Sequence, residues 1–404
     1  MIRITVIFIC AILPLTAAIA DGEFRWEDVA PLNNARMSHG AAVFDGRIYV
    51  FGGRSHHRMQ VLSSIEVYDP EQDRWRELGP LPRPLCSMAA AVGGEAIYLF
   101  GGLTTRNEPV NWVLRFDPRE NSTRFIDTLA YSVHSLSSVE FDHRILVMGG
   151  ISPPLRFLST GFWYDPRRLR KTDAPAFNVA RSNYGMIFNR TVWAVGGITR
   201  GGPVATTEVI VNNRWRLAGR MPSPRGELGT AVFGDTLVIA GGFNEREQLT
   251  NRVDGFIIGQ NQWVELPPMS DARAAFPLVS LGDRLYAVGG RTTRRNGHVT
   301  AGVEMFRYHE LNDAAPPETA PLHLELVTVW PNPTNGIVNF NLPCVPASIK
   351  IVDVRGHVVS EAIAGDRLGR WSWNSASFPG GAYLFVIHPA GGSTVSIGRF
   401  AVVK

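Results

Sequence analysis

The hydrophobic pattern of the chain is organised by a recurring pair of glycines, each standing behind a short apolar run without polar alternation. The runs are Ile48 to Phe51, Ile97 to Phe100, Ile145 to Met148, Val192 to Val195, Leu237 to Ala240 and Leu285 to Val288. The pairs that follow them are Gly52-Gly53, Gly101-Gly102, Gly149-Gly150, Gly196-Gly197, Gly241-Gly242 and Gly289-Gly290, spaced by 49, 48, 47, 45 and 48 residues. Short runs of this kind predict strands buried on both faces. Hairpin signals such as Asp45-Gly46, Gly234-Asp235 and Gly282-Asp283 precede most of them. After each glycine pair come a polar loop, an alternating strand such as Ile65 to Tyr68, a turn such as Asp69-Pro70, and an outer strand. That outer strand carries Trp75, Trp215 or Trp263, with Phe125 in the second repeat.

The six copies resemble the kelch repeat, in which four antiparallel strands form one blade of a β-propeller. The resemblance implies an all-β, six-bladed kelch-type propeller over about residues 24–311. The sixth repeat runs from Val303 to Tyr308 into His309 to Asp313 without a tryptophan strand, whereas Trp26 to Leu32, ahead of the first glycine pair, reads like Trp75 to Leu81. The N-terminal segment is therefore expected to supply the last blade's outer strand and close the ring.

A linker rich in Ala, Pro and Thr is expected over residues 312–324. Beyond it, residues 325–404 read as short strands at the spacing of a small immunoglobulin-like β-sandwich. Trp330-Pro331-Asn332-Pro333, the Asp353 to Gly356 turn, the Gly381-Ala382-Tyr383 strand and the basic C-terminus resemble the type A sorting domain of the type IX secretion system. Immunoglobulin-like modules of extracellular enzymes share parts of this pattern, so a retained structural module is the other reading. At the opposite end, Arg3, the apolar stretch Ile4 to Leu15 and Ala18-Ile19-Ala20 have the form of a signal peptide over residues 1–20, with cleavage before Asp21. Together these features imply export to the cell surface or medium, with the secretion machinery as a partner of residues 325–404. Cys10 lies in the expected signal segment, leaving Cys86 and Cys344, which stand far apart in sequence and in different expected domains, so that no disulfide framework is expected. No other segment is long and apolar enough to suggest a transmembrane helix.

Composition agrees with short strands and turns: 40 Gly and 27 Pro accompany only 19% charged residues. Only Lys171, Lys350 and Lys404 are lysines, so nearly all basic residues are arginine, yet the net charge is only +4. Such a balance is no signature of nucleic-acid binding.

Chemistry on a propeller belongs to the loops at one mouth of the ring. The post-glycine loops carry Arg54, His56, His57 and Arg58; Arg106 and Glu108; Arg200; Glu245, Arg246 and Glu247; and Arg291, Arg294 and Arg295. Arg36, Arg181, Arg225 and Arg273 recur at one position in the segments leading into four blades. Arginines outnumber acids here, and their planar donor forks suit carboxylates, sulfates or acidic peptides. Ligand contacts are thus expected from Arg36, Arg181, Arg225, Arg273, Arg54, Arg200, Arg246 and Arg291, and an anionic glycan or protein is the expected partner; the alternative is that these arginines tie blades together. No cofactor or metal is expected: kelch propellers include copper oxidases resembling galactose oxidase, but His56-His57 is an adjacent pair without converging ligands. If the chain is an enzyme, its six blades and exported address resemble those of the sialic acid mutarotases and epimerases. Glu227, two residues after Arg225, is then the candidate acid/base, with a solvated residue or an Arg225 partner as the bland alternative.

Overall fold

The computed structural model describes residues 22–310 except 56–58, 235 and 293–297, and, further on, 328–330, 337–342, 346–353, 358–363, 369–376, 378, 381–389 and 396–402. The expected signal peptide and linker, His56 to Arg58, Arg294, Arg295 and Cys344 lie outside the described residues. Asp21–Asn312 forms one compact unit, and Asp313–Lys404 belongs to a second.

The first unit is a six-bladed β-propeller of four-stranded antiparallel sheets. Blade 1 comprises Gly40–Phe44, Arg47–Phe51, Ile65–Asp69 and Arg74–Leu78. Blade 2 comprises Ala89–Gly93, Ala96–Phe100, Trp112–Asp117 and Ser122–Thr128. Blade 3 is built from Ser137–Phe141, Arg144–Met148, Gly161–Asp165 and Arg170–Asp173, and blade 4 from Gly185–Asn189, Thr191–Val195, Thr206–Val211 and Arg214–Arg220. Blade 5 takes Gly229–Phe233, Thr236–Ala240, Val253–Ile257 and Gln262–Leu266. Blade 6 takes Leu278–Leu281, Arg284–Val288 and Val303–Glu310, and its outer strand is Gly22–Val29, paired with Val303–Glu310 over eight residues. The innermost strands contact one another in a closed circle from blade 1 to blade 6 and back. The six unalternating runs are the second strands, in which the apolar residues are buried because a neighbouring blade covers each face.

Two features join blade to blade. Each glycine pair is left-handed, with φ of 55° and 100° at Gly52 and Gly53. The second glycine donates its N–H to the carbonyl leading into the next blade: Gly53 to Leu85 at 2.9 Å, Gly102 to Val133 at 2.8 Å, and so on to Gly290, which reaches Arg36 at 2.8 Å. A Cβ on Gly52 would stand 2.1 Å from the Leu85 oxygen, so no other residue fits. The outer-strand tryptophans supply the second clamp. The indole N–H of Trp75 donates to the Ala30 carbonyl at 2.9 Å, Trp215 to Pro175 at 3.0 Å and Trp26 to Pro267 at 2.9 Å. Each is a buried or nearly buried ring with its polar handle satisfied by the preceding blade.

The second unit contains two antiparallel sheets. One has the order Thr328–Trp330, Ile337–Leu342, Gly369–Asn374; the other Val358–Ile363, Pro346–Asp353, Gly381–Pro389, Ser396–Val402. Ile349, Ile351, Trp373 and Tyr383 are buried, and the Trp373 ring of the first sheet lies 5.4 Å from that of Tyr383 in the second. Among the described residues no helix is long and apolar enough to cross a membrane.

Candidate functional site

The loops after the glycine pairs and the segments leading into the innermost strands meet at one end of the propeller, as isolated bridges such as Met37 to Arg54, Ser182 to Ile198 and Ala274 to Arg291 record. Within this mouth, Ser38, Ser87, Ser135, Asn183, Glu227 and Ala275 occupy the same repeat position, all with φ between 48° and 55°. They form a closed ring of backbone hydrogen bonds. Each amide donates to the carbonyl one blade back: Ser87 to Ser38 at 2.7 Å, Ser135 to Ser87 at 2.8 Å, Asn183 to Ser135 at 3.0 Å, Glu227 to Asn183 at 3.0 Å, Ala275 to Glu227 at 2.9 Å, and Ser38 to Ala275 at 2.8 Å. A left-handed backbone costs a non-glycine residue some energy, and here the ring over-determines it. The six residues line a central cavity of about 270 Å³. Five of the six side chains are polar, and Glu227 is the only acid.

The four lead-in arginines are not part of that lining. Arg36, Arg181, Arg225 and Arg273 are fully buried inside their own blades, which corrects the expectation that they meet a ligand at the mouth. The reason is an acid on the third strand of the same blade: Arg36 pairs with Glu66 at 2.5 Å, Arg181 with Glu208, Arg225 with Asp254 and Arg273 with Glu304. The second arm of each guanidinium caps the carbonyl of the first glycine, as Arg36 does at Gly52 at 2.7 Å and Arg181 at Gly196 at 2.9 Å. Burial pulls the Arg36, Arg181 and Arg225 guanidiniums below the usual arginine range, and the paired carboxylates oppose that pull. Blades 2 and 3 carry Leu85 and Val133 in place of the arginine, and Leu114 and Phe162 in place of the acid. Both partners change together, since a lone buried charge would be untenable.

The choice of acid follows the local backbone. Glu66 and Glu208 also accept the amides of Asn33 at 2.7 Å and Asn178 at 2.8 Å, and Glu304 that of Ser270 at 2.6 Å. In blade 5 that position is Pro222, which has no N–H, and the shorter Asp254 suffices, with a further bond from Arg252. Sequence reasoning missed these acids because the polar loops between the glycine pair and the third strand differ in length. Aligning the third strands on Ile65-Glu66, Thr207-Glu208, Val253-Asp254 and Val303-Glu304 exposes them.

The loop arginines remain at the mouth. Arg54 and Arg291 stand at the same repeat position, directly after the glycine pairs of the adjacent blades 1 and 6, and both are partly exposed. Arg54 donates to the Asn107 side chain on the next blade's loop. Its charge adds to burial in holding the His134 imidazole below the usual histidine range, whereas burial pushes the Cys86 thiol up against the pull of Arg54. Arg291 grips Glu227 at 2.6 Å and lies over the Phe243 ring at 5.5 Å. Glu227 thus serves Arg291 of the next blade, whereas Arg225 is taken by Asp254. Arg106, Arg200 and Arg246 are exposed on three further loops. Among the described residues no group of three His, Cys, Asp or Glu side chains could hold a metal ion.

His39, one residue beyond the ring, is the exception in an apolar series of Met88, Leu136, Tyr184, Leu228 and Phe276. Its ring is buried against Gly289 of blade 6, and neither nitrogen has a hydrogen-bond partner. Burial, and secondarily the Arg36 charge, hold it well below the usual histidine range. The unfolded chain takes up a proton near pH 6.5 and the folded chain does not, so stability falls with pH below that value by roughly 1.4 kcal/mol per unit. We expect His39→Met to remove this slope and raise stability at pH 5. Urea unfolding of both proteins at pH 7.5 and pH 5 checks it; identical pH dependence would refute the assignment.

Residues 35–82, 84–122 and 224–270 match the kelch motif, and residues 328–397 match a secretion system C-terminal sorting domain. Beta-scruin of Limulus polyphemus is 29% identical over 173 residues, 39% of this chain and 19% of that protein. An influenza virus NS1A-binding protein homolog of Xenopus laevis is 37% identical over 83 residues, covering 20% of this chain and 12% of that one. Kelch-like protein 34 of Homo sapiens is 37% identical over 108 residues, covering 24% and 16%. The chain therefore spans less than a fifth of the length of these relatives. A solved structure described as that of YjhT superposes with a TM-score of 0.61 at 15% identity, covering 68% of this chain and 95% of that one, a likeness of fold.

Proposed function

This chain carries kelch motifs on a six-bladed propeller and a type IX secretion system sorting domain at its C-terminus, and we propose from that premise that it is an exported interaction module. Residues 1–20 are the signal peptide, residues 24–311 the binding domain, and residues 325–404 an immunoglobulin-like sandwich that addresses the chain to the surface or medium. The ligand is acidic, an anionic glycan or a protein segment, and it meets the mouth. The observation that carries this reading is that five blades bring Arg54, Arg106, Arg200, Arg246 and Arg291 to post-glycine loops around a polar ring, while the lead-in arginines are spent inside the blades. Cations gathered at one opening focus a positive potential and grip oxyanions by charge-assisted hydrogen bonds.

A glycan and peptide array probed with the exported chain tests the reading. Arg54→Ala with Arg291→Ala should weaken the best acidic hit about tenfold, equivalent to one such bond. Binding should also weaken steeply with salt. Array binding that is absent, or indifferent to both substitutions and to salt, would sink it. The Glu227 carboxylate beside the Arg291 cation favours a second reading, acid/base chemistry on an acidic sugar in the manner of the sialic acid mutarotases and epimerases. Accelerated exchange between the anomers of free sialic acid, followed by NMR and abolished in Glu227→Gln, would establish that reading instead.

A further inference from the structure

At the far end of the strands from the mouth, blade 2 differs from the other five. The last residue of the innermost strand, facing the first residue of the second, is Phe44, Phe141, Asn189, Phe233 or Leu281 in the other blades; in blade 2 it is Gly93. Pro166, on the turn between the last two strands of blade 3, packs onto this bare backbone: a Cβ on Gly93 would stand 2.8 Å from its Cγ. Gly94, at φ 64°, is an exposed turn residue with nothing within 4 Å of where a Cβ would point. Between the two blades lies a cleft of about 440 Å³, walled by Tyr98, Arg115, His143 and Arg167, with Glu95 as its one acid. That volume falls in the range of small-molecule sites, roughly 300 to 1,000 Å³.

The donors here exceed the acceptors. Glu95 is taken by Arg119, whose two arms reach its oxygens at 3.1 and 3.3 Å. Arg115 gives one arm to Asp117 at 2.9 Å and also hydrogen-bonds the Tyr98 phenol, leaving the remaining N–H donors of its five. Arg167 is exposed; its amide donates to Asp165 at 2.9 Å, while Asp165 receives the neighbouring Arg168 guanidinium at 3.0 Å, so the Arg167 fork has no acid partner among the described residues. The Arg167 fork, the remaining Arg115 donors and the exposed His143 imidazole are groups suited to gripping an oxyanion.

We propose that this cleft binds the carboxylate or phosphate group of a small anionic ligand, independently of the mouth. Calorimetric titration of the full chain at low salt with inorganic phosphate and with glucuronate, as two separate arms, tests it and separates the two sources of oxyanion. Saturable binding is expected in at least one arm, weakened tenfold or more by Arg167→Glu, an exposed change that leaves the fold intact, and unaffected by Arg54→Ala with Arg291→Ala. Titrations without binding in either arm would overturn the proposal, as would binding that Arg167→Glu leaves unchanged. Binding lost only in the mouth double variant would assign the anion to the mouth and not to this cleft.

Discussion

Arg225→Leu is expected to cost about 3–5 kcal/mol of folding stability, read as a lowered urea midpoint, because it strands the Asp254 carboxylate in the interior of blade 5 with one of its two arginine partners gone. Adding Asp254→Leu should restore most of the loss. Blade 2 already holds Leu85 and Leu114 at these positions, and Pro222 leaves no amide that would need the missing acid. The Arg225 guanidinium is also incompletely satisfied, since its Nε, like that of Arg273, has no partner, whereas that of Arg36 donates to the Asn34 carbonyl and that of Arg181 to the Val179 carbonyl. The same double exchange in blade 4 should recover less, because the amides of Asn178 and Val179 lose their acceptor with Glu208. Single and double variants that are equally stable would mean the pair is not an energetic unit.

The periodic part of the fold was legible because it rests on local chemistry. Each unalternating run anticipated a second strand to within one residue: Ile48 to Phe51 is Arg47–Phe51, and Leu285 to Val288 is Arg284–Val288. Glycine pairs and tryptophans stand out because nothing else fits the crowded turn or fills the gap between blades. Closure by Trp26 could be read from the same signature out of place. The site was less legible for a physical reason: an arginine looks the same in sequence whether it faces solvent or an acid brought beside it by the fold. The lead-in arginines recur at a fixed distance from the ring, but their acids follow loops of differing length. The ring escaped notice because its members share a backbone conformation and not a side-chain type, running from Ser38 through Asn183 and Glu227 to Ala275. His39 differs again, since only its comparison with Met88, Leu136 and Phe276 marks it as polar in an apolar seat.

Deleting residues 21–32 is expected to have the largest effect of any change to the propeller. The deletion removes the whole outer strand Gly22–Val29 and, with it, every ladder bond to Val303–Glu310. It also strips Phe306 of two of its three ring neighbours, Phe24 at 5.4 Å and Trp26 at 5.1 Å, exposing an apolar seam in which only Phe233 at 5.7 Å remains against it. One of the links between blade 6 and blade 1 is lost at the same time, because Leu32 donates its amide to Ala301 at 2.9 Å and packs in the apolar cluster shared by both. An open strand edge beside exposed aromatic rings is a template for association. The shortened chain should therefore aggregate on expression and show no cooperative urea transition. Trp26→Ala alone, which leaves the ladder in place, should cost the about 3–5 kcal/mol typical of truncating a buried tryptophan and stay monomeric. A synthetic peptide of residues 21–32, supplied during refolding, should pair with the open edge and restore a monomer by light scattering. A deletion variant that is soluble and unfolds cooperatively without the peptide would show that the glycine and ring hydrogen bonds hold the circle shut by themselves.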